Sequence, residues 1–536
     1  MILRYGSLLT FSLLCVFAAT VQADRTAGEE LLFSNCGGCH TPDKEGAFSR
    51  ISEQRKTAEG WEMTINRMRM IHGLRLSGRD IPIAQSSMRE LVKYLADTQG
   101  LAPQESQPYR YLIEQDLNRI EDMDPELAVM CGRCHSSARF ALQRRTEAEW
   151  ELLVHFHLGQ FPSTEYSLYG RDRDWLNEAL TKTVPALAKA YPLQSEAWSA
   201  WQAAEKPDLA GRWIVTGHMA GKGYLYAVMT ATTTKPDYYS LSIEGEYSNG
   251  ESVSGKGKAL VYTGYDWRAQ LTLGDDSMRQ VLAADASGER LSGRMFFKDQ
   301  PLLGMRLSAV RDDKNSRINS VFPTHIQRGG TQQLTISGSA LVGDITLPKG
   351  LSIDKVLLRD KNRIVLAVAA SSDAAMGHGS IGVGAASLDN ALMVYQQLNS
   401  LAVEPSYAIA RVGGNGGSTP RVEAAFRAVG IDHGPDGIAG SDDDLRLGYM
   451  DGISWQVAPW DAAAEQGEDV RFAGKMGVGS GIFQPAGAGP NPEREHSTNN
   501  VGNLKVIASL AEDTAVSSGE GHLIVTVQRW NNPPLR

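Results

Sequence analysis

Cysteine is scarce in this chain, five residues in 536, and beyond the N-terminus there is no long apolar run. The missing run excludes a spanning helix of about 20 residues after the first two dozen positions. An excess of positive charge is missing too: the net charge is −9, which argues against a nucleic-acid partner and would steer a basic partner toward the protein. With 42% hydrophobic and 21% charged residues the composition is globular rather than disordered. The length exceeds a single core, and at roughly 100 to 200 residues per domain it predicts three to five. The 54 glycines favour β-structure with many turns.

Residues 1–23 read as a cleaved secretory signal. Arg4 supplies the positive start, Leu8 to Ala18 an apolar stretch too short to span a bilayer, and Val21-Gln22-Ala23 a small-residue cleavage site. The mature chain is therefore expected in the periplasm, without a membrane span. Cys15 leaves with the signal, and the other four cysteines form Cys36-Gly37-Gly38-Cys39-His40 and Cys131-Gly132-Arg133-Cys134-His135. Two thiols on one turn can add across the two vinyl groups of a haem while the next imidazole reaches its iron. A lone C-x-x-C could be a redox disulfide or half a zinc site. Two copies, each followed at once by histidine behind a secretory signal, point to two covalently bound c-type haems held by Cys36, Cys39, Cys131 and Cys134, with His40 and His135 on the irons.

The two motifs belong to a repeat. Gln54-Arg55-Lys56-Thr57-Ala58-Glu59-Gly60-Trp61-Glu62 aligns with Gln143-Arg144-Arg145-Thr146-Glu147-Ala148-Glu149-Trp150-Glu151 at an offset of 89 residues. Thr26 with Glu29, and Asp124 with Pro125, predict helix starts ahead of each haem motif. Met88 to Asp97 and Trp175 to Ala190 predict the closing helices. Seven residues after each repeat tryptophan stand Met68 and His157, on the tryptophan's helix face, and both residue types serve as sixth haem ligands. Met63, Met70 and His72 remain alternatives in the first module, and His155 in the second.

The helical pattern gives out between Pro192 and Pro207. Seven or eight short alternating runs then predict an antiparallel barrel over 206–317, whose mouth could hold a small ligand, although a spacer is the simpler reading. Residues 318–403 and 404–536 read as two Ig-like β-sandwiches. Asp432 to Asp444 resembles a calcium loop in spacing, but its acids are out of register with the EF-hand and read as a solvated loop. Gly413 to Pro420, Gly474 to Gly481 and Pro485 to Pro492 read as long loops available to a partner. The expected fold is thus a di-haem cytochrome c-like helical domain over 24–205, in modules of about 24–105 and 106–205, followed by barrel and sandwiches.

The secretory signal, two haem motifs about 95 residues apart, the repeat tryptophan, the segment Leu153-Val154-His155-Phe156-His157-Leu158-Gly159-Gln160 and the order of β-domains resemble, along the whole chain, the α subunit of bacterial quinohemoprotein amine dehydrogenase. The resemblance implies a heterotrimer with a propeller-forming β subunit and a small γ subunit bearing cysteine tryptophylquinone. That cofactor oxidises primary amines, and the α-subunit haems pass the electrons to a soluble cytochrome c or blue-copper protein. Once its haems are attached this chain has no cysteine left for such a quinone, so the amine-oxidising site is expected on another subunit and no catalytic residue here. A di-haem cytochrome c peroxidase and a haem-bearing carbohydrate- or surface-binding protein are the competing readings.

Overall fold

The computed structural model describes residues 26–75, 81–415, 419–495, 499–511 and 516–527, with the backbone alone for 81–86. The predicted secretory signal lies outside the described residues. Helices dominate to Ala203 and strands thereafter. No described helix is long and apolar enough to cross a membrane.

Each haem motif follows a short helix, α1 (Ala27–Cys36) in the first module and Pro125–Cys131 in the second. Thr26 caps α1 by accepting from Glu29 N–H, and Asp124 caps its counterpart by accepting from Glu126 and Leu127. These caps satisfy amide donors that a helix start leaves free. The repeat segments form β1 (Gln54–Lys56) and β2 (Gln143–Arg145). They lead into α2 (Ala58–Ile71) and the Glu147–Gln160 helix, capped by Thr57 and Thr146. The predicted closing helices are α3 (Ile81–Thr98) and a run from Trp175 to Ala190 that widens to a π-helical turn over Ala179–Thr183.

β1 and β2 pair antiparallel, Gln54 with Arg145, Arg55 with Arg144 and Lys56 with Gln143. With a repeat offset of 89 this register is symmetric, so a pseudo-twofold axis passes between Arg55 and Arg144. Local contacts obey it. The Trp61 and Trp150 indoles donate to the carbonyls of Gln99 and Tyr191, and Gln54 and Gln143 donate to those of Arg50 and Arg139. Arg55, Arg144 and Ser195 converge on the buried Glu105 carboxylate, with Arg55 bidentate at 2.9 Å.

A further helix, Glu196–Ala203, lies where the sequence suggested that helical pattern had ended; its Trp198 and Trp201 belong to the apolar cluster that fills the barrel. The barrel closes through β3 (Gly211–Met219), β4 (Gly223–Lys235), β5 (Tyr238–Tyr247), β6 (Ser252–Tyr262), β7 (Asp266–Leu273), β8 (Asp276–Ala284), β9 (Arg290–Phe297) and β10 (Gly304–Arg311), with β10 against β3. β6 eluded the alternation pattern because two glycines interrupt it. A Cβ on Gly255 or Gly257 would lie 2.2 and 2.1 Å from carbonyls of β7, so close strand approach requires glycine there. Inside, Leu225, Met229, Ile243, Tyr265, Trp267, Met295 and Met305 are fully buried and pack together, so side chains fill the interior as expected for eight strands.

The turn between β6 and β7 fastens the barrel to the haem region: Thr263 N–H donates to Asp97, Trp201 donates to the Thr263 carbonyl, and Tyr265 Oη donates to the Leu101 carbonyl. Beyond the barrel, sheets containing Thr331–Ser339 and Ala386–Tyr395 share one apolar core. A final set of three sheets shares another, centred on Phe426, Trp455 and Phe483. Gly474–Met476 pairs with Ile482–Pro485, so the predicted loop over 474–481 is a hairpin. In the Asp432 to Asp444 loop, Asp432 accepts from Gln396, Gln397 and Gly434 N–H, and Asp436 and Asp444 accept from amides of their own loop.

Candidate haem centres

In both modules the first thiol ends a helix and the histidine begins the next turn, which presents Cys36, Cys39 and His40, and Cys131, Cys134 and His135, on compact loops. All four cysteines are free thiols. Burial, and then the neighbouring cysteine, push Cys36 and Cys131 up to about 11.

The histidines are fixed through one ring nitrogen. His40 Nδ1 lies 2.9 Å from the Ser49 carbonyl, His135 Nδ1 2.9 Å from that of Ser136, and His157 Nδ1 2.7 Å from that of Leu153. A carbonyl only accepts, so each Nδ1 carries the proton and leaves the Nε2 lone pair for a metal. Burial holds His135 and His157 below the ordinary histidine value, aided by the Arg139 charge on His135 and the Arg67 and Arg145 charges on His157. Neutral imidazole is the ligating form.

The second module contains a cavity of about 1580 Å³ lined by Cys131, Cys134, His135 and His157 together, with Trp150, Val154 and Phe161 among its apolar walls. His157 therefore stands in one chamber with the thiols and the first histidine. His155 does not: it is exposed and faces Glu151 at 3.9 Å.

In the first module Met68 shares the α2 stripe of Trp61 and Ile65, whose buried side chains belong to the cluster against which Cys36 packs. Met68 is half-buried, whereas Met70 and His72 are exposed. Met63 lines the second module's cavity, and its sulfur accepts from Arg139 at 3.8 Å.

The donor sets fit covalent haem: two thiols on one turn, an imidazole with Nε2 free, and a soft or imidazole donor from the equivalent helix position. Lys56 and Arg67 of the first module, which also line the second module's cavity, were not legible as site residues. Their only sequence signal was the basic character of the repeat.

No curated protein matches the chain. Among solved structures, a redesigned β-barrel resembles it at 21% identity over 20% of this chain and 92% of its own, with a TM-score of 0.18. Cadherin repeats 1–3 of Drosophila N-cadherin do so at 11% identity over 46% of this chain and 85% of their own, with a TM-score of 0.19. Four family models tile the chain. Residues 26–198 match the haem-binding domain of the quinohemoprotein amine dehydrogenase α subunit, 206–312 its domain II, 315–396 its domain III and 401–535 its domain IV. From helical haem-binding region through closed barrel to the last sheets, the chain belongs to the quinohemoprotein amine dehydrogenase α-subunit family.

Proposed function

We propose that the chain is the periplasmic electron-transfer subunit of an amine dehydrogenase complex, exported by the signal over residues 1–23. It carries two covalent c-type haems in cytochrome c-like modules, one on Cys36 and Cys39 between His40 and Met68, the other on Cys131 and Cys134 between His135 and His157. The haems supply one-electron storage. The chain's own residues would hold His40, His135 and His157 with Nε2 turned to the iron, and burial favours the neutral form of His135 and His157. Cysteine tryptophylquinone on a γ subunit, with a propeller-forming β subunit completing the heterotrimer, would deliver the electrons of amine oxidation. A soluble cytochrome c or blue-copper protein would remove them. The two Ig-like sandwiches serve as a framework.

The observation that carries this reading is the second chamber, where both thiols and two imidazoles with free Nε2 atoms line one cavity. A histidine in the sixth position favours electron transfer over peroxidase chemistry, which needs an open one. The isolated chain should accept electrons from dithionite yet stay oxidised with butylamine, and butylamine-dependent haem reduction should return when the quinone-bearing subunit is added. Amine turnover by the chain alone, or high-spin haem that reacts with peroxide, would refute it.

A further inference from the structure

The second module's cavity is walled on one side by the first. Four cations reach its lining, Lys56 and Arg67 from the first module and Arg139 and Arg145 from the second, against one carboxylate, Glu59. Glu59 is already engaged by Arg268 of the barrel at 2.6 Å. The nearby Glu149 is shared by Arg145 at 3.2 Å and Arg50 at 2.8 Å. Among the described residues no carboxylate pairs with Lys56, Arg67 or Arg139. Lys56 is only 3% exposed, donates to Thr64 Oγ1 at 2.8 Å and sits over the Trp61 ring. Arg67 lies over the Phe156 ring at 4.5 Å.

Lys56 is buried, Arg67 half-buried and Arg139 exposed, and three cations gathered beside one cavity with no described carboxylate paired to them favour an anion there. Burial, and then the charges of Arg145 and Arg67, pull Lys56 well below its ordinary value, which an arriving carboxylate would reverse. The pseudo-twofold breaks at this wall: the repeat counterparts of Arg67, Thr64 and Met63 are Phe156, Leu153 and Leu152. Of the three cations only Arg67 is specific to this side, for Lys56 and Arg139 have the basic counterparts Arg145 and Arg50.

Resting on the haem assignment above, we propose that Lys56 and Arg67 of the first module, with Arg139 of the second, bind the propionate carboxylates of the haem on Cys131 and Cys134. The second haem's potential is thereby set partly by the first module. Fixed positive charge favours the electron-rich ferrous state and raises the potential.

The test is redox titration of the full haem-loaded chain carrying Arg67→Gln, Lys56→Met or Arg67→Lys. The midpoint potential of the haem on Cys131 and Cys134 should fall in Arg67→Gln and Lys56→Met and stay near that of the parent in Arg67→Lys. The first haem's potential and both absorption spectra should hold. Two bound haems with the second potential unmoved in Arg67→Gln, or with both potentials shifted equally, would overturn the inference alone. A parent chain with no covalent haem at Cys131 and Cys134 would overturn the haem assignment and this inference with it.

Discussion

Arg55 and Arg144 stand opposite each other in the two-stranded ribbon and bind the same carboxylate, that of Glu105. The pseudo-twofold axis runs between the arginines, so one acid clamps both modules. Burial alone would raise the acid, but the Arg55 hydrogen bonds and the Arg144 and Arg55 charges bring it down to about 2.

Glu105→Gln should therefore destabilise the haem region by about 3–5 kcal/mol, because two buried guanidinium groups lose their counter-charge. Thermal unfolding followed by circular dichroism checks this, and a change under about 1 kcal/mol contradicts it. In the parent the carboxylate is depressed in the folded state. Its contribution is fully present above the ordinary value of 4.5 and drains away as pH falls from there toward about 2. The glutamine variant should lose that part of the acid sensitivity.

Replacing Cys36 and Cys39, or Cys131 and Cys134, with alanine should lower covalent haem from two per chain to one. Haem staining and mass measurement of the purified chain give the count. Two haems persisting after either double change contradict the attachment sites.

Met68→His should lower the potential of the first haem, because a thioether favours ferrous iron more than a second imidazole does. By ligand type alone the second haem is the lower-potential acceptor and the first the exit. The cations around the second cavity act against that order and narrow the gap. Redox titration that finds both potentials unmoved by Met68→His removes Met68 from the iron. His157→Ala should leave the second haem high-spin, seen in its absorption spectrum, whereas His155→Ala should not.

Tyr265→Phe should cost about 1–3 kcal/mol, since its buried hydroxyl meets the Leu101 carbonyl and the Ser106 hydroxyl across the barrel interface. Unchanged denaturant midpoints would show that the hydroxyl is not needed there.

The helix starts at Thr26 and Asp124 were legible because capping is local chemistry within three residues. The closed barrel was legible because alternation survives in most strands. β6 was not, since Gly255 and Gly257 answer to the backbone of a neighbouring strand rather than to their own periodicity. The Glu196–Ala203 helix was hidden because its two tryptophans pack into the apolar cluster of the barrel. At the site, residue type and spacing nominated Met68 and His157. The repeat register preferred His157 over His155, and in the fold His157 lines the cavity while His155 is exposed. Lys56 and Arg67 serve a chamber belonging to the other repeat, a relation that no one-dimensional pattern expresses.

The symmetric ribbon register carries a consequence for how such a chain arose. A strand that pairs with its own duplicate about a twofold axis is the contact that a homodimer makes, the same patch used on both sides. Joining the copies in one polypeptide turns a bimolecular encounter into an intramolecular one, so assembly no longer depends on concentration. It also frees each copy to diverge. One copy carries Arg67 where its mate carries Phe156, a division of labour closed to any dimer of identical subunits.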